Sequence, residues 1–278
     1  MSTMTAPVNP MAAEAKDFVL DVVKRERQKF YDLIDDPANW EVQTRCTEWQ
    51  VRDLVGHMID VTEGYLERWE IAKRGESADA LGLQVMGETL DDHAKEFRRL
   101  SRQEAISRLK ADADKVMGIF EALTADEWTG FLVVHPYMGP CPAGFYPAFQ
   151  IMDYGIHPYD IEYGLGDKLA TVDEQAAGLL IPYTHIIMQN TVDQEAARGV
   201  DIVYGLAVSG PWGGKWRVTV KDGKWSSEPE EGNFEGCQAL FQHTPGDFVL
   251  SVWGRFPGGS ASGDPEVIEQ VRRLFFRF

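Results

Sequence analysis

Cysteine is scarce in this 278-residue chain: Cys46, Cys141 and Cys237 are its three, and no two form a C-x-x-C pair. An odd number of widely spaced thiols argues against a disulfide framework and fits a reducing, cytoplasmic setting. Basic residues are also few, 27 Lys+Arg against 44 Asp+Glu, giving a formal net charge of −17. Such a surface repels a phosphate backbone, which argues against nucleic acid as a partner. No stretch approaches the roughly 18 continuous apolar residues of a membrane span, so no membrane partner is expected. The opening MSTMTAPVNPMAAEAK has no basic region followed by an apolar run. It reads as a frayed tail, not a secretory signal. Also missing are a G-x-S-x-G elbow, a G-x-x-x-x-G-K-[ST] loop, an H-E-x-x-H pair and a dinucleotide G-x-G-x-x-G.

What is present is a helical first half. Apolar Phe18, Val22, Val23 and Phe30 recur at helical spacing between about Ala12 and Leu33. Thr47 with Gln50 has the spacing of a capping box, followed by the stripe Val51, Leu54, Val55, Met58, Val61 and Tyr65, with Gly75 as terminator. Ser101 with Glu104 repeats the cap and opens a helix whose stripe includes Ile106, Leu109, Val116, Phe120 and Leu123. A fourth helix is expected from near Tyr146 past Ile161, ended by Gly164 and Gly166. Before it, HPYMGPCPAGFYP (His135 to Pro147) reads as a shaped loop that can wall a site. Four helices of this length make a bundle, and bundle cores hold metal ligands on facing helices.

The second half changes character. One more helical stretch runs from Asp173 to Ala197, and strand signals begin at Asp201. Trp216 to Val220 alternates apolar and polar residues, Asp222-Gly223 offers a hairpin turn, and Trp225 starts the return strand. Apolar segments around Ala239-Leu240-Phe241 and Phe248-Val249-Leu250 follow. Asp264 with Pro265 caps a last helix bearing Val267, Val271 and Leu274. The length suits two domains, expected at residues 12–168 and 169–278, the second a linker helix and a small α+β domain.

The chemistry concentrates in three residues. His57 lies within the apolar stripe of the second helix, while Asp153 and His157 stand i, i+4 on the fourth and project from one face. Two imidazoles and a carboxylate are a common ligand set for zinc or iron that leaves positions open for chemistry. A carboxylate so deep in an aromatic helix must be paired or coordinate something. Asp160, one turn beyond His157, is placed to accept an imidazole N–H. Pro158 removes a backbone bond to the Tyr154 carbonyl and is expected to kink the helix.

The segment T-E-W-Q-V-R-D-L-V-G-H, Thr47 to His57, resembles the signature of the mycothiol-dependent maleylpyruvate isomerase N-terminal family, a branch of the DinB-like four-helix metal-binding bundles. That family pairs W-x-V-x-D-L-x-x-H with a later E-x-x-x-H-x-x-D, here D-Y-G-I-H-P-Y-D from Asp153 to Asp160. The likeness covers roughly Ala12 to Gly166. It implies metal ligands at His57, Asp153 and His157, with Asp standing where the isomerases carry Glu. W-R-V-T-V-K-D-G-K-W (Trp216 to Trp225) and G-D-P-E (Gly263 to Glu266) resemble a sterol-carrier-protein-like module. In the isomerase-like proteins the equivalent domain helps complete the substrate site, which makes Arg217 and Arg255 candidates to meet a substrate carboxylate. The expected fold is thus a DinB-like four-helix bundle followed by a small sterol-carrier-like α+β domain. The expected function is a metal-dependent enzyme, most simply with Zn2+, that uses mycothiol as cosubstrate on a small electrophile, by isomerisation or S-transfer. Tyr137 or Tyr146 is expected close to the incoming molecule. The alternatives are a metal-dependent hydrolase or lyase on the same bundle, and a lipid- or small-molecule-binding protein whose metal is structural.

Overall fold

A computed structural model describes residues 9–255 and 258–276. Half of the expected tail, residues 1–8, lies outside the described residues; in the other half Ala13–Ala15 form a 3-10 turn that leads into the first helix at Lys16. Residues 9–172 form one unit, and residues 173 onward fall in another.

In the first unit the elements are α1 (Lys16–Asp35), α2 (Val51–Lys73), α3 (Leu83–Glu96), α4 (Arg102–Ala122), α5 (Ala125–Gly130), strands β1 (Leu132–His135) and β2 (Gly139–Pro142), and α6 (Phe145–Gly164). The long helices α1, α2, α4 and α6 are the four expected, with α1 packed on α6 and α2 on α4. Their core joins Phe30 and Ile34 of α1, Leu54 and Met58 of α2, Leu109 of α4 and Tyr154 of α6. The α4 stripe is buried throughout, from Ile106 to Leu123. Ser101 and Glu104 form their capping box as the sequence indicates.

The α2 cap differs from expectation. The N-cap is Gln50, not Thr47, and the Gln50 amide donates to Asp53 Oδ2 at 2.9 Å. Asp53 is fully buried and also takes both arms of Arg98, at 2.6 and 2.8 Å. Two strong donors to one carboxylate fix where the helix starts. The α2 stripe is buried at Val51, Leu54, Val55, Met58 and Tyr65 but only half-buried at Val61. Helix α3 carries just two buried residues, Leu83 and Ala94, and rests on α2 where a side chain at Gly56 would meet the Ala94 carbonyl. The segment expected as a loop from His135 to Pro147 is in part an antiparallel hairpin, with Leu132 opposite Pro142 and His135 opposite Gly139. Helix α6 runs on through Pro158.

The second unit holds α7 (Glu174–Asn190), β3 (Asp201–Val208), β4 (Gly214–Lys221), β5 (Lys224–Pro229), β6 (Ala239–His243), α8 (Pro245–Val252), β7 (Ser260–Gly263) and α9 (Pro265–Arg273). The sheet order is β5-β4-β3-β6-β7, antiparallel except for the parallel β3–β6 pair. Val218 and Val220 point into the core, while Arg217 and Thr219 face the other side, as the alternation requires. Asp222 and Gly223 both have positive φ, 51° and 73°, the type I′ geometry that joins twisted strands. Of the two later apolar segments the first is β6. The second lies in α8, where the Thr244 side chain accepts from the Asp247 amide. Asp264 caps α9 as the sequence indicates.

Candidate metal centre

Helices α2 and α6 bring His57, Asp153 and His157 together: one ligand atom from each lies within 4.8 Å of the others. His57 Nε2 stands 3.8 Å from Asp153 Oδ1. That is too long for a hydrogen bond, so imidazole and carboxylate converge without satisfying each other. Donors about 2.0–2.2 Å from a tetrahedral zinc ion stand about 3.4 Å apart, so a small side-chain rotation fits the trio to a metal. The residues suit the group. Both histidines are buried, whereas Asp153 keeps 15% of its side chain exposed, which makes the carboxylate the solvent-facing ligand. The two imidazoles meet edge to face with centroids 5.2 Å apart, and Trp49 packs on both, at 5.1 and 6.2 Å. The indole keeps water from that side.

Asp160 is fully buried, and its Oδ2 lies 2.9 Å from His157 Nδ1. With the Nδ1 proton held there, Nε2 carries the lone pair a metal requires. The loop before α2 supports this carboxylate from the far side of the chain. Cys46 Sγ lies 3.4 Å from the same oxygen, and the Arg45 amide donates to the Asp160 carbonyl at 2.9 Å. The loop comes this close because α6 ends in Gly164, where any side chain would collide with the Gln43 carbonyl.

Beside the trio lies a second layer, centred on His135 of the segment expected to wall the site. His135, at the end of β1, is buried, and its Nδ1 accepts from the Tyr137 and Met138 amides, both at 3.2 Å. Its proton therefore sits on Nε2. Burial holds its pKa down to about 4; Asp153 pulls upward and Arg68 pushes further down. Tyr65, Tyr146 and Phe149 surround the ring at 5.8, 6.1 and 4.8 Å. Tyr65 itself titrates far above its ordinary range, first through burial and then through Asp153. Asp60, one turn after His57, is raised by burial, with His93 and His57 opposing. His93 Nδ1 of α3 is 3.6 Å from it.

The other expected site residues divide. Tyr146 is fully buried against Tyr65 and Trp69, at 5.0 and 5.7 Å, and its hydroxyl has no partner among the described residues. Tyr137 is half-buried at the hairpin and packs on His135 at 6.2 Å. Burial raises its pKa and a hydrogen bond with Thr89 of α3 opposes. Arg217 and Arg255 belong to the second unit. Arg217 is held there by Glu230 at 2.8 Å and donates to the Glu235 carbonyl at 2.9 Å. Arg255 donates to the Trp253 carbonyl at 2.9 Å.

Comparison with known proteins gives one family and a fold. Residues 23–162 match the family model of the mycothiol maleylpyruvate isomerase N-terminal domain. The crystal structure of the mycothiol-dependent maleylpyruvate isomerase is similar at 14% identity with a TM-score of 0.58, covering 90% of this chain and 94% of that one. A mutant of that isomerase matches at 13% identity and a TM-score of 0.59, with the same coverage. At these identities the likeness is one of fold, and it takes in the bundle and the sheet-bearing unit alike. No curated protein matches the sequence.

Proposed function

Because the chain belongs to the mycothiol maleylpyruvate isomerase N-terminal domain family, we propose that it is a metal-dependent enzyme that uses a small thiol, of the mycothiol kind, on a small electrophilic substrate. The observation that carries this reading is the convergence of His57, Asp153 and His157 in the bundle, with His57 Nε2 and Asp153 Oδ1 too far apart to hydrogen-bond. A structural site would close on four protein ligands. Among the described residues only these three converge, which leaves room for an exchangeable one. A bound divalent metal, zinc in the simplest case, supplies a lowered thiol pKa, so that the sulfur arrives as thiolate.

The chain's own residues do the rest. Asp160 fixes the His157 tautomer, Trp49 excludes water, and the neutral His135 presents an N–H from Nε2. Addition of the sulfur to an electrophilic double bond makes a single bond that can rotate. Expulsion of the same sulfur then restores the double bond as the geometric isomer and returns the thiol unchanged. Retention of the sulfur, with uptake of a proton at the neighbouring carbon, would instead give S-transfer. The free thiols of Cys46, Cys141 and Cys237 fit a cytoplasmic setting for this chemistry. The test is a titration of cobalt-substituted protein with mycothiol or a simple thiol. The visible spectrum is expected to change as thiolate enters, with tighter binding as pH rises toward the thiol pKa. Absence of stoichiometric metal, or no spectral change at millimolar thiol, would refute the reading.

A further inference from the structure

The second unit carries a pocket of about 350 Å³ at one end of its sheet. Strand register sets its floor. Lys215 of β4, Ala207 of β3 and Gln242 of β6 are direct partners across three neighbouring strands. All three stand on the face away from the core, since Val208, Trp216 and Phe241 beside them face the core. Neighbouring strands lie about 4.8 Å apart, so the lysine and the glutamine flank the Ala207 methyl across roughly 10 Å. Alanine between two long side chains leaves a depression, and the pocket lies there.

Its walls are pinned. The loop between β3 and β4 forms one side. In it the Gly213 amide donates to the Gly210 carbonyl at 3.1 Å, with Pro211 at the favoured second position of the turn. Trp212 in this loop is buried, and its ring fills the place that a side chain at Gly178 of α7 would take. The Ser209 amide donates to the His243 carbonyl at 2.8 Å and joins the loop to the end of β6. The next row on the same face of the sheet is already covered. There Gly205 stands between Arg217 and Leu240, and the Phe234 ring lies where a side chain at Gly205 would go. Phe234 holds a φ of 65°, a costly conformation for an aromatic residue. Arg217 binds the segment down through Glu230 and the Glu235 carbonyl. This cover stops one row short of Ala207, and none of its residues lines the pocket.

The polar groups sit at the two edges. Lys215 Nζ donates to the Gly232 carbonyl at 3.3 Å and stands 5.9 Å from the Phe234 ring. An ammonium has three donors, so two remain for a ligand. At the opposite edge Gln242 is exposed, and its amide can both donate and accept. Glu174 Oε1 of α7 lies 3.2 Å from where a side chain at Gly210 would start, so a second negative charge on that side is repelled.

We infer that this pocket is a binding site for a small monocarboxylate with a flat apolar body. The carboxylate meets Lys215, the body lies on Ala207, and the far edge reaches Gln242. The volume falls in the range of small-molecule sites, and pinned walls lower the ordering cost of binding. The inference does not rest on the proposed function, because no residue of the metal centre takes part.

The test is titration of the full, isotope-labelled chain with benzoate, and with benzamide as its uncharged isostere, followed through amide chemical shifts. Benzoate at millimolar concentration is expected to give saturable shifts at Ala207, Gly214 and Gln242, and benzamide to bind at least tenfold more weakly. Lys215→Met keeps the stem without the charge and should weaken benzoate at least tenfold. Ala207→Leu fills the depression from the outer face and should abolish the shifts, with circular dichroism as the check on folding. His57→Ala should bind benzoate as the native chain does. Absence of saturable shifts at those amides would overturn the inference. So would equal affinity for benzamide, equal affinity in Lys215→Met, or full binding in a folded Ala207→Leu. Loss of binding in His57→Ala would assign the benzoate to the metal and overturn it as well. If Ala207→Leu does not fold, Lys215→Met and the benzamide comparison decide.

Discussion

Removal of the Asp160 carboxylate tests the metal centre without touching a ligand. In the native protein Oδ2 lies 2.9 Å from His157 Nδ1, and the residue is fully buried. In Asp160→Ala the Nδ1 proton loses its acceptor, and the ring is free to take the other tautomer or turn. Either change withdraws the Nε2 lone pair from the centre for part of the time. Such outer partners are worth about 10- to 100-fold in metal affinity, or about 1.4–2.8 kcal/mol. Asp160→Asn keeps the volume and still offers a carbonyl oxygen without the charge, so its loss should be smaller, about threefold to tenfold. Cys46→Ala removes only a weak donor to the same oxygen, 3.4 Å away, and should cost less than either. His157→Ala deletes a ligand outright and sets the upper limit. Competition against a chromophoric chelator at fixed pH measures all four, with circular dichroism of the metal-free proteins as the check on folding. If Asp160→Ala folds and holds metal as tightly as the native chain while His157→Ala does not, the carboxylate does not set the ring and the argument fails.

Further outcomes follow from other parts of the chain. His57→Ala should release metal, whereas His93→Ala and His243→Ala should retain it; metal analysis of the purified variants decides, and full retention in His57→Ala would remove the site. Asp153→Glu restores the carboxylate of the family pattern and should keep metal, whereas Asp153→Ala should weaken it; equal affinity in both would make this residue structural. Asp53→Ala removes the helix cap and leaves the exposed Arg98 fork without its carboxylate, at a cost of about 1–2 kcal/mol read from denaturant unfolding. A loss below about 0.5 kcal/mol would show that the cap is replaced. His135 binds its proton near pH 4 when folded and near 6.5 when unfolded, so the unfolded chain holds more protons between these values. Stability of the metal-free bundle should therefore fall as pH drops through that window, by up to about 3 kcal/mol, and His135→Phe should flatten the decline. An unchanged slope in the variant would place the acid sensitivity elsewhere.

Much of the bundle is legible in the sequence because its signals are local. The α4 stripe and its capping box, the i, i+4 pair on α6 and the partner at i+3 from His157 all depend on helical spacing alone. The turn at Asp222-Gly223 is equally local, since positive φ at both positions selects one hairpin geometry. What escaped depends on contacts between distant segments or on weak patterns. Helix α3 buries two residues and is preceded by Gly82 with φ 90°, so it shows neither stripe nor cap. The strands of the hairpin are four residues each, too short to reveal alternation amid prolines and glycines. His135 therefore reads as a loop residue in the sequence, with nothing to mark it. Cys46 meets Asp160 across 114 residues of chain, and no spacing rule connects them. The Ser/Thr form of the capping box points to Thr47 as the α2 cap; the observed cap uses Asp53, which Arg98 anchors from a segment far along the chain.

The α2 stripe shows where pattern reading and function part. Periodicity puts Val61 with the core, and five of the six stripe residues obey, but Val61 does not. Its exposure has a physical cause that the period cannot encode. Valine is apolar whether it packs on another helix or lies half-open at the surface, and the two cases differ only in what stands opposite. At Gly64, one turn on, a side chain would meet nothing within 4 Å. A sequence records which face of a helix is apolar. It does not record which apolar residue has been left uncovered, because only the packing of neighbouring elements decides that.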